Sequence, residues 1–274
     1  MRCPSRLAAC FCAAALATSA LAATPEAVRA EVAASLKERL PDLAVQDYAL
    51  GAAAFDAELR RGLEENAAAG AAAIAAGKAL WTRKFKNGRT LSGCFPNGGR
   101  RVAASYPQFD PRVKRVITLE MAVNQCLKAH RETLFDHDDS KTMGAVTAYL
   151  RSLSDGQKLA VRVRPGAEAQ FEQGRRLYFS RLGQRNYACA SCHVQGAGKR
   201  YDDTPLSPAI GQAAHWPVIR GGVPVTLHQR IRECLELMGA APFPAGSEEL
   251  NTIEYFLAYL SNGHTLGANP WRPR

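Results

Sequence analysis

Apolar spacing outlines the helices of this chain before any reactive residue is considered. In Thr226-Leu-His-Gln-Arg-Ile-Arg-Glu-Cys-Leu-Glu-Leu-Met238, the residues Leu227, Ile231, Cys234, Leu235 and Met238 recur at three- and four-residue steps. That spacing predicts an amphipathic helix with Cys234 on its inward face. The same pattern occurs one half-chain earlier. Thr118-Leu119 followed by Cys126-Leu127 matches Thr226-Leu227 followed by Cys234-Leu235, with six residues between in both. Upstream, the octet from Ile74 to Trp81 matches that from Phe171 to Tyr178, each with a glycine, a leucine three residues on and an aromatic next. Tyr106-Pro107 matches Trp216-Pro217, and Ala148-Tyr149-Leu150 ending at Asp155-Gly156 matches Ala258-Tyr259-Leu260 ending at Asn262-Gly263.

An internal repeat of this kind predicts an all-α chain of two small helical domains in tandem. Each has an opening helix, a cysteine-bearing loop, a middle helix and a closing helix. The boundaries follow as residues 23–156 with an extended N-terminal arm, a linker at 157–166, and a second domain at 167–274.

The N-terminus reads differently. Arg2 and Arg6 precede an apolar, alanine-rich run that ends in Ala20-Leu21-Ala22, a small-x-small cleavage site. Residues 1–22 are therefore expected to be a secretory signal peptide. No later stretch reaches the ~20 apolar residues that a membrane span needs. The expected compartment is the periplasm, which is oxidising and tolerates disulfides. The formal charge of +10 falls by two with loss of Arg2 and Arg6, leaving a basic protein suited to anions or acidic partners. The chain contains no nucleic-acid-binding motif, and export argues against such a partner.

Of the 8 cysteines, Cys3, Cys10 and Cys12 leave with the signal. Cys189-Ala-Ser-Cys192-His193 is the attachment pattern of a c-type haem. In that chemistry the two sulfurs become thioethers and the adjacent imidazole takes the proximal axial position. A zinc site would need further ligands at suitable spacing, and none follows. One covalently bound haem c is thus expected in the second domain. The first has Cys94-Phe-Pro-Asn-Gly98 in the corresponding loop, with Asn97 and Gly98 at the places of Cys192 and His193. It should bind no haem, which leaves Cys94 and Cys126 of its middle helix free to form a disulfide.

Cys234 is then the odd cysteine. By the repeat, and by the usual layout of class I cytochromes c, its helix face is expected across the iron from His193, so Cys234 and Met238 are both candidates for the distal ligand. Methionine is the commoner choice of an electron carrier, whereas a thiolate also supplies a nucleophile. Arg230, one turn earlier, is placed to favour the thiolate and to hold an anion. His215, His228 and His264 are weaker ligand candidates, and Lys199 and Arg200 are rim charges beside the haem loop.

With these residues assembled, the chain resembles the A subunit of the SoxAX cytochromes of bacterial thiosulfate oxidation, in its single-haem form. The matching residues are Asp47-Tyr-Ala-Leu-Gly51, Asn87-Gly88, Cys94 to Gly99, Tyr106-Pro107, Phe109-Asp110, Thr118-Leu-Glu120, Asn124-Gln-Cys126, the haem motif, and Arg230 four before Cys234. The resemblance implies two class I cytochrome c-like domains in tandem, the first without haem, and an iron ligated by His193 and by Cys234, often as a persulfide. It also implies L-cysteine S-thiosulfotransferase activity with Cys234 and Arg230 catalytic, a partner monohaem cytochrome of the SoxX type, and oxidative coupling of thiosulfate to a cysteine of the carrier SoxYZ. The competing reading is a plain periplasmic electron-transfer cytochrome with Met238 on the iron and Cys234 inert.

Overall fold

The protein is described by a computed structural model covering residues 23–267 and 271–272; the expected signal peptide, residues 1–22, lies outside them. Nine α-helices run through these residues in the order α1 (Pro25–Arg39), α2 (Ala57–Glu65), α3 (Ala71–Thr82), α4 (Leu119–Ala129), α5 (Ala145–Ser152), α6 (Glu168–Phe179), α7 (Cys189–His193), α8 (Leu227–Leu237) and α9 (Glu248–Leu260). No helix among them is long and apolar enough to cross a membrane.

The internal repeat is a repeat of packing. In the first half α3 lies on α5, and in the second α6 lies on α9 in the same way. The glycines that open the repeat, Gly77 and Gly174, are the points of closest approach. The repeated threonines are helix caps: Thr118 Oγ1 accepts from the amide of Met121 at 3.3 Å, and Thr226 Oγ1 from that of Gln229 at 3.2 Å. In the second cap the Gln229 side chain reaches back to the Thr226 amide at 2.8 Å, closing a capping box.

Each middle helix is preceded by a cis X-Pro bond, Tyr106–Pro107 or Trp216–Pro217. A short antiparallel hairpin follows: β1 (Gln108–Asp110) with β2 (Arg115–Ile117), and, after the hairpin of β3 (Arg200–Tyr201) and β4 (Thr204–Pro205), β5 (Val218–Arg220) with β6 (Val223–Val225). β7 (Trp271–Arg272) adds in parallel to β5. The helical reading missed these strands because two or three residues are too few to show a two-residue alternation.

Two segments depart from a pair of independent units. The N-terminal arm, read with the first domain, wraps the second half instead. Arg29 of α1 donates to the carbonyls of Leu260 at 3.1 Å and Asn262 at 2.6 Å, and the Tyr259 hydroxyl donates to Glu26 at 2.8 Å. The linker segment 157–166 runs along the surface and is pinned to both halves, with Leu159 and Val161 turned inward, both 2% exposed. Its backbone bonds to Ala104 on one side and to His264 and Asn262 on the other. Cys94 and Cys126 form a disulfide with Cα atoms 5.9 Å apart, tying the loop after α3 to α4.

Candidate functional site

The attachment motif forms the single turn α7. Its first free amide is satisfied locally: the Ala188 N–H donates to Ser191 Oγ at 3.0 Å. This turn places Cys189, Cys192 and His193 together at the base of the second half. His193 Nδ1 lies 2.8 Å from the Ser207 carbonyl, and the Gln212 side chain approaches the same nitrogen at 2.8 Å. A carbonyl can only accept, so Nδ1 carries the proton and Nε2 keeps its lone pair for a metal. Burial lowers the His193 pKa to about 4, so the ring is neutral and ligand-competent at neutral pH.

The helix α8 supplies the opposite wall. Its buried residues Leu227, Ile231 and Leu235 seat it in the core, and the same spacing turns Arg230 and Cys234 toward the motif. The thiols interact with one another: Cys234 raises the pKa of both Cys189 and Cys192, in addition to their burial, which alone is the larger cause. Cys189 reaches about 12. Arg230 is close enough to His193 to disfavour its charged form. On the third side stands Tyr178 of α6, buried among the three sulfurs, its hydroxyl without a partner. Cys189, Cys192 and Cys234 form no disulfide.

As the helical spacing implies, Arg230 favours the Cys234 thiolate, and Arg220 adds to it, but burial is the larger effect and Glu233 adds a repulsive charge, so Cys234 is held above the ordinary thiol range. Arg230 shares its charge with Glu233 at 3.0 Å, and Arg220 of β5 meets the same carboxylate at 2.9 Å. Glu233 was legible as the i+3 neighbour of Arg230; Arg220 reaches the site only through the fold.

The other candidates find structural employment. His264 is buried and bonds the Val45 carbonyl at 2.8 Å, and His215 bonds that of Ala49 at 2.9 Å, so both fasten the N-terminal arm. His228 faces Glu254 on α9. Arg200 pairs with Asp56 at 3.3 Å, while Lys199 stays exposed beside the loop. Met238 caps the C-terminal end of α8, buried, with its carbonyl accepting from the Arg185 amide at 3.1 Å. In the first half, Cys94 is committed to the disulfide, and Asn97 and Gly98 occupy a tight turn with φ of 51° and 64°.

The donor set fits a c-type haem: two thiols on one turn, an adjacent imidazole with a free Nε2, and an unpartnered buried hydroxyl facing them. A family model described as SoxA/TsdA, cytochrome c domain, matches residues 76–159 and 173–266. The L-cysteine S-thiosulfotransferase subunit SoxA of Chlorobaculum tepidum is 37% identical over 83% of this chain and 80% of its own length. That of Allochromatium vinosum is 37% identical over 89% of each. The chain belongs to the SoxA family. The fold agrees with the crystal structure of SoxXA from P. pantotrophus, with a TM-score of 0.71 at 23% identity, covering 79% of this chain and 84% of that one. Each of the two matched stretches covers most of one copy of the repeat, and the second contains the whole of α7 and α8.

Proposed function

We propose that this SoxA-family chain, an L-cysteine S-thiosulfotransferase subunit, holds one haem c in its second half and uses Cys234 and Arg230 for sulfur transfer. The two cytochrome c-like domains lie within residues 23–156 and 167–274, with the N-terminal arm of the first laid against the second, and the first carries no haem because its loop offers one disulfide-bonded cysteine and no histidine. Cys189 and Cys192 would hold the cofactor covalently, and His193 and Cys234 would supply its iron with nitrogen and sulfur donors. The bound haem c supplies a one-electron acceptor beside the reacting sulfur.

The observation that carries this reading is the convergence of three unbonded thiols, an imidazole and Arg230 in one place. An electron carrier needs only one axial sulfur, and Met238 would serve. Joining thiosulfate to a carrier thiol forms one S–S bond and releases one proton and two electrons. A second one-electron acceptor is therefore required, which a SoxX-type monohaem cytochrome in a heterodimer provides. Arg230 binds the sulfonate oxygens of thiosulfate and offsets their charge, while Cys234 offers a sulfur that can exchange. The cysteine acceptor is that of a SoxYZ-type carrier, and the whole operates in the periplasm after removal of residues 1–22.

The test is intact mass together with turnover. One haem per chain, and loss of thiosulfate transfer in Cys234→Met with the haem retained, support the reading. A Cys234→Ala variant with wild-type turnover and spectrum would shift the assignment to the plain carrier with Met238 on the iron.

A further inference from the structure

Three residues with orphaned polar side chains line one small cavity between the two halves. Glu120 Oε2 and Thr147 Oγ1 come from the first half and Trp216 Nε1 from the second, and all three atoms are buried without a hydrogen-bond partner. Tyr106, Arg151 and Glu254 line the same cavity. Leaving one such group unpaired costs on the order of 1–3 kcal/mol. Three meeting in one void, with room for about one water, point to a shared guest. A water in that place would accept from the indole N–H and bond both oxygens.

The charges around the cavity leave Glu120 over. Arg151 of α5 crosses the joint and donates to the carbonyls of Trp216 at 2.5 Å and of Ala213. Burial opposes the charge of Arg151, and Glu254, Glu120 and, one turn along, Asp155 all act on it, in that order of strength. His228 of α8 lies with Nε2 3.1 Å from Glu254 Oε2 of α9, close though poorly aligned. Its Nδ1 accepts from the Gly246 amide, so Nε2 carries a proton toward Glu254. His137 faces the same group and is held below the ordinary imidazole range by burial, so it adds no cation at neutral pH. Tyr106 is kept protonated by burial. Arg151 turns its donors to backbone carbonyls and His228, accepting at Nδ1, is no cation, so no ion pair reaches the carboxyl of Glu120, which is 8% exposed.

We propose that the joint between the halves is closed by one ordered water and by Glu120 in its neutral acid form, together bridging Thr147 of the first half to Trp216 and Glu254 of the second. The joint bears on the site because the first half also grips α8 nearby. Asp138 binds Arg232 at 2.6 Å, and its carbonyl accepts from Gln229 at 2.8 Å. The half without the attachment motif therefore orients the helix that carries Arg230 and Cys234.

Burial and the charge of Glu254 both raise the Glu120 pKa above 4.5. The folded chain then binds a proton that the unfolded chain releases, so the stability contribution is complete below about 4.5 and is lost as pH rises through the folded value. Glu120→Gln keeps size and hydrogen-bonding capacity but cannot ionise. The experiment compares the full-length haem-loaded protein with Glu120→Gln and Trp216→Phe. Denaturant midpoints are followed from about pH 5 to about pH 9, with infrared spectra of the carboxylic C=O stretch and a high-resolution crystal structure. Expected are a protonated-carboxyl band at neutral pH that Glu120→Gln lacks, a Glu120→Gln midpoint that gains on wild type as pH rises, and an ordered water contacting Trp216 Nε1 that Trp216→Phe loses. A wild type without that band, a Glu120→Gln deficit that grows with pH, or a dry cavity overturns the proposal. Should Glu120→Gln not fold, the wild-type band and its disappearance at alkaline pH decide the matter alone.

Discussion

Gly174 of α6 stands so close to Thr252 of α9 that a Cβ built on it would lie 2.0 Å from the Thr252 carbonyl oxygen; Gly77 meets the carbonyl of Ala145 at the same 2.0 Å. Both contacts are with backbone, so no side-chain rotation relieves them. Gly174→Ala and Gly77→Ala each have to push a helix pair apart, and overpacking of this kind costs typically about 1–3 kcal/mol, sometimes more. Thermal denaturation of the two variants should show a lowered midpoint. An unchanged midpoint in either would mean that the helices are not packed as described.

Removing the disulfide acts on a different term. Cys94 and Cys126 close a loop of 32 residues, and opening it by Cys94→Ser with Cys126→Ser should cost about 3 kcal/mol, mainly through the freed unfolded chain. The haem spectrum should not change, because neither sulfur belongs to the second half. Chemical denaturation and the visible spectrum of the double variant measure both outcomes together.

Arg29 holds the N-terminal arm by charged hydrogen bonds to the Leu260 and Asn262 carbonyls. Arg29→Ala should weaken this attachment by about 1.5–3 kcal/mol. The readout is faster proteolytic nicking within residues 45–56, with haem content unaffected. Equal nicking rates would show that His215 and His264 suffice to anchor the arm.

At the site, Arg230→Ala should lower thiosulfate turnover about 10- to 100-fold, the worth of one charge-assisted contact at about 1.5–3 kcal/mol, with the haem still attached. It should also raise the pKa of Cys234 further, since Arg230 is the larger of the two cations opposing burial there. Alkylation of Cys234 in the haem-free chain as a function of pH reads that shift directly, and slower alkylation at fixed pH is the expected result.

The chain by itself determined what depends on local order. The attachment motif, the inward face of Thr226–Met238, the disulfide partners left by a degenerate loop, and the repeated Thr-Leu and Tyr-Leu landmarks were all legible, because each is a residue type at a fixed spacing along one helix or turn. Tertiary structure alone decided what depends on distant segments meeting. It brought Arg220 from β5 to the carboxylate shared with Arg230, turned His215 and His264 into fasteners of the arm, sent that arm across to the second half, and buried Glu120 opposite Glu254. It also set the balance at Cys234: the pull of a cation one turn away is visible in sequence and is present, but desolvation is set by everything packed around the sulfur, and here it is the larger effect.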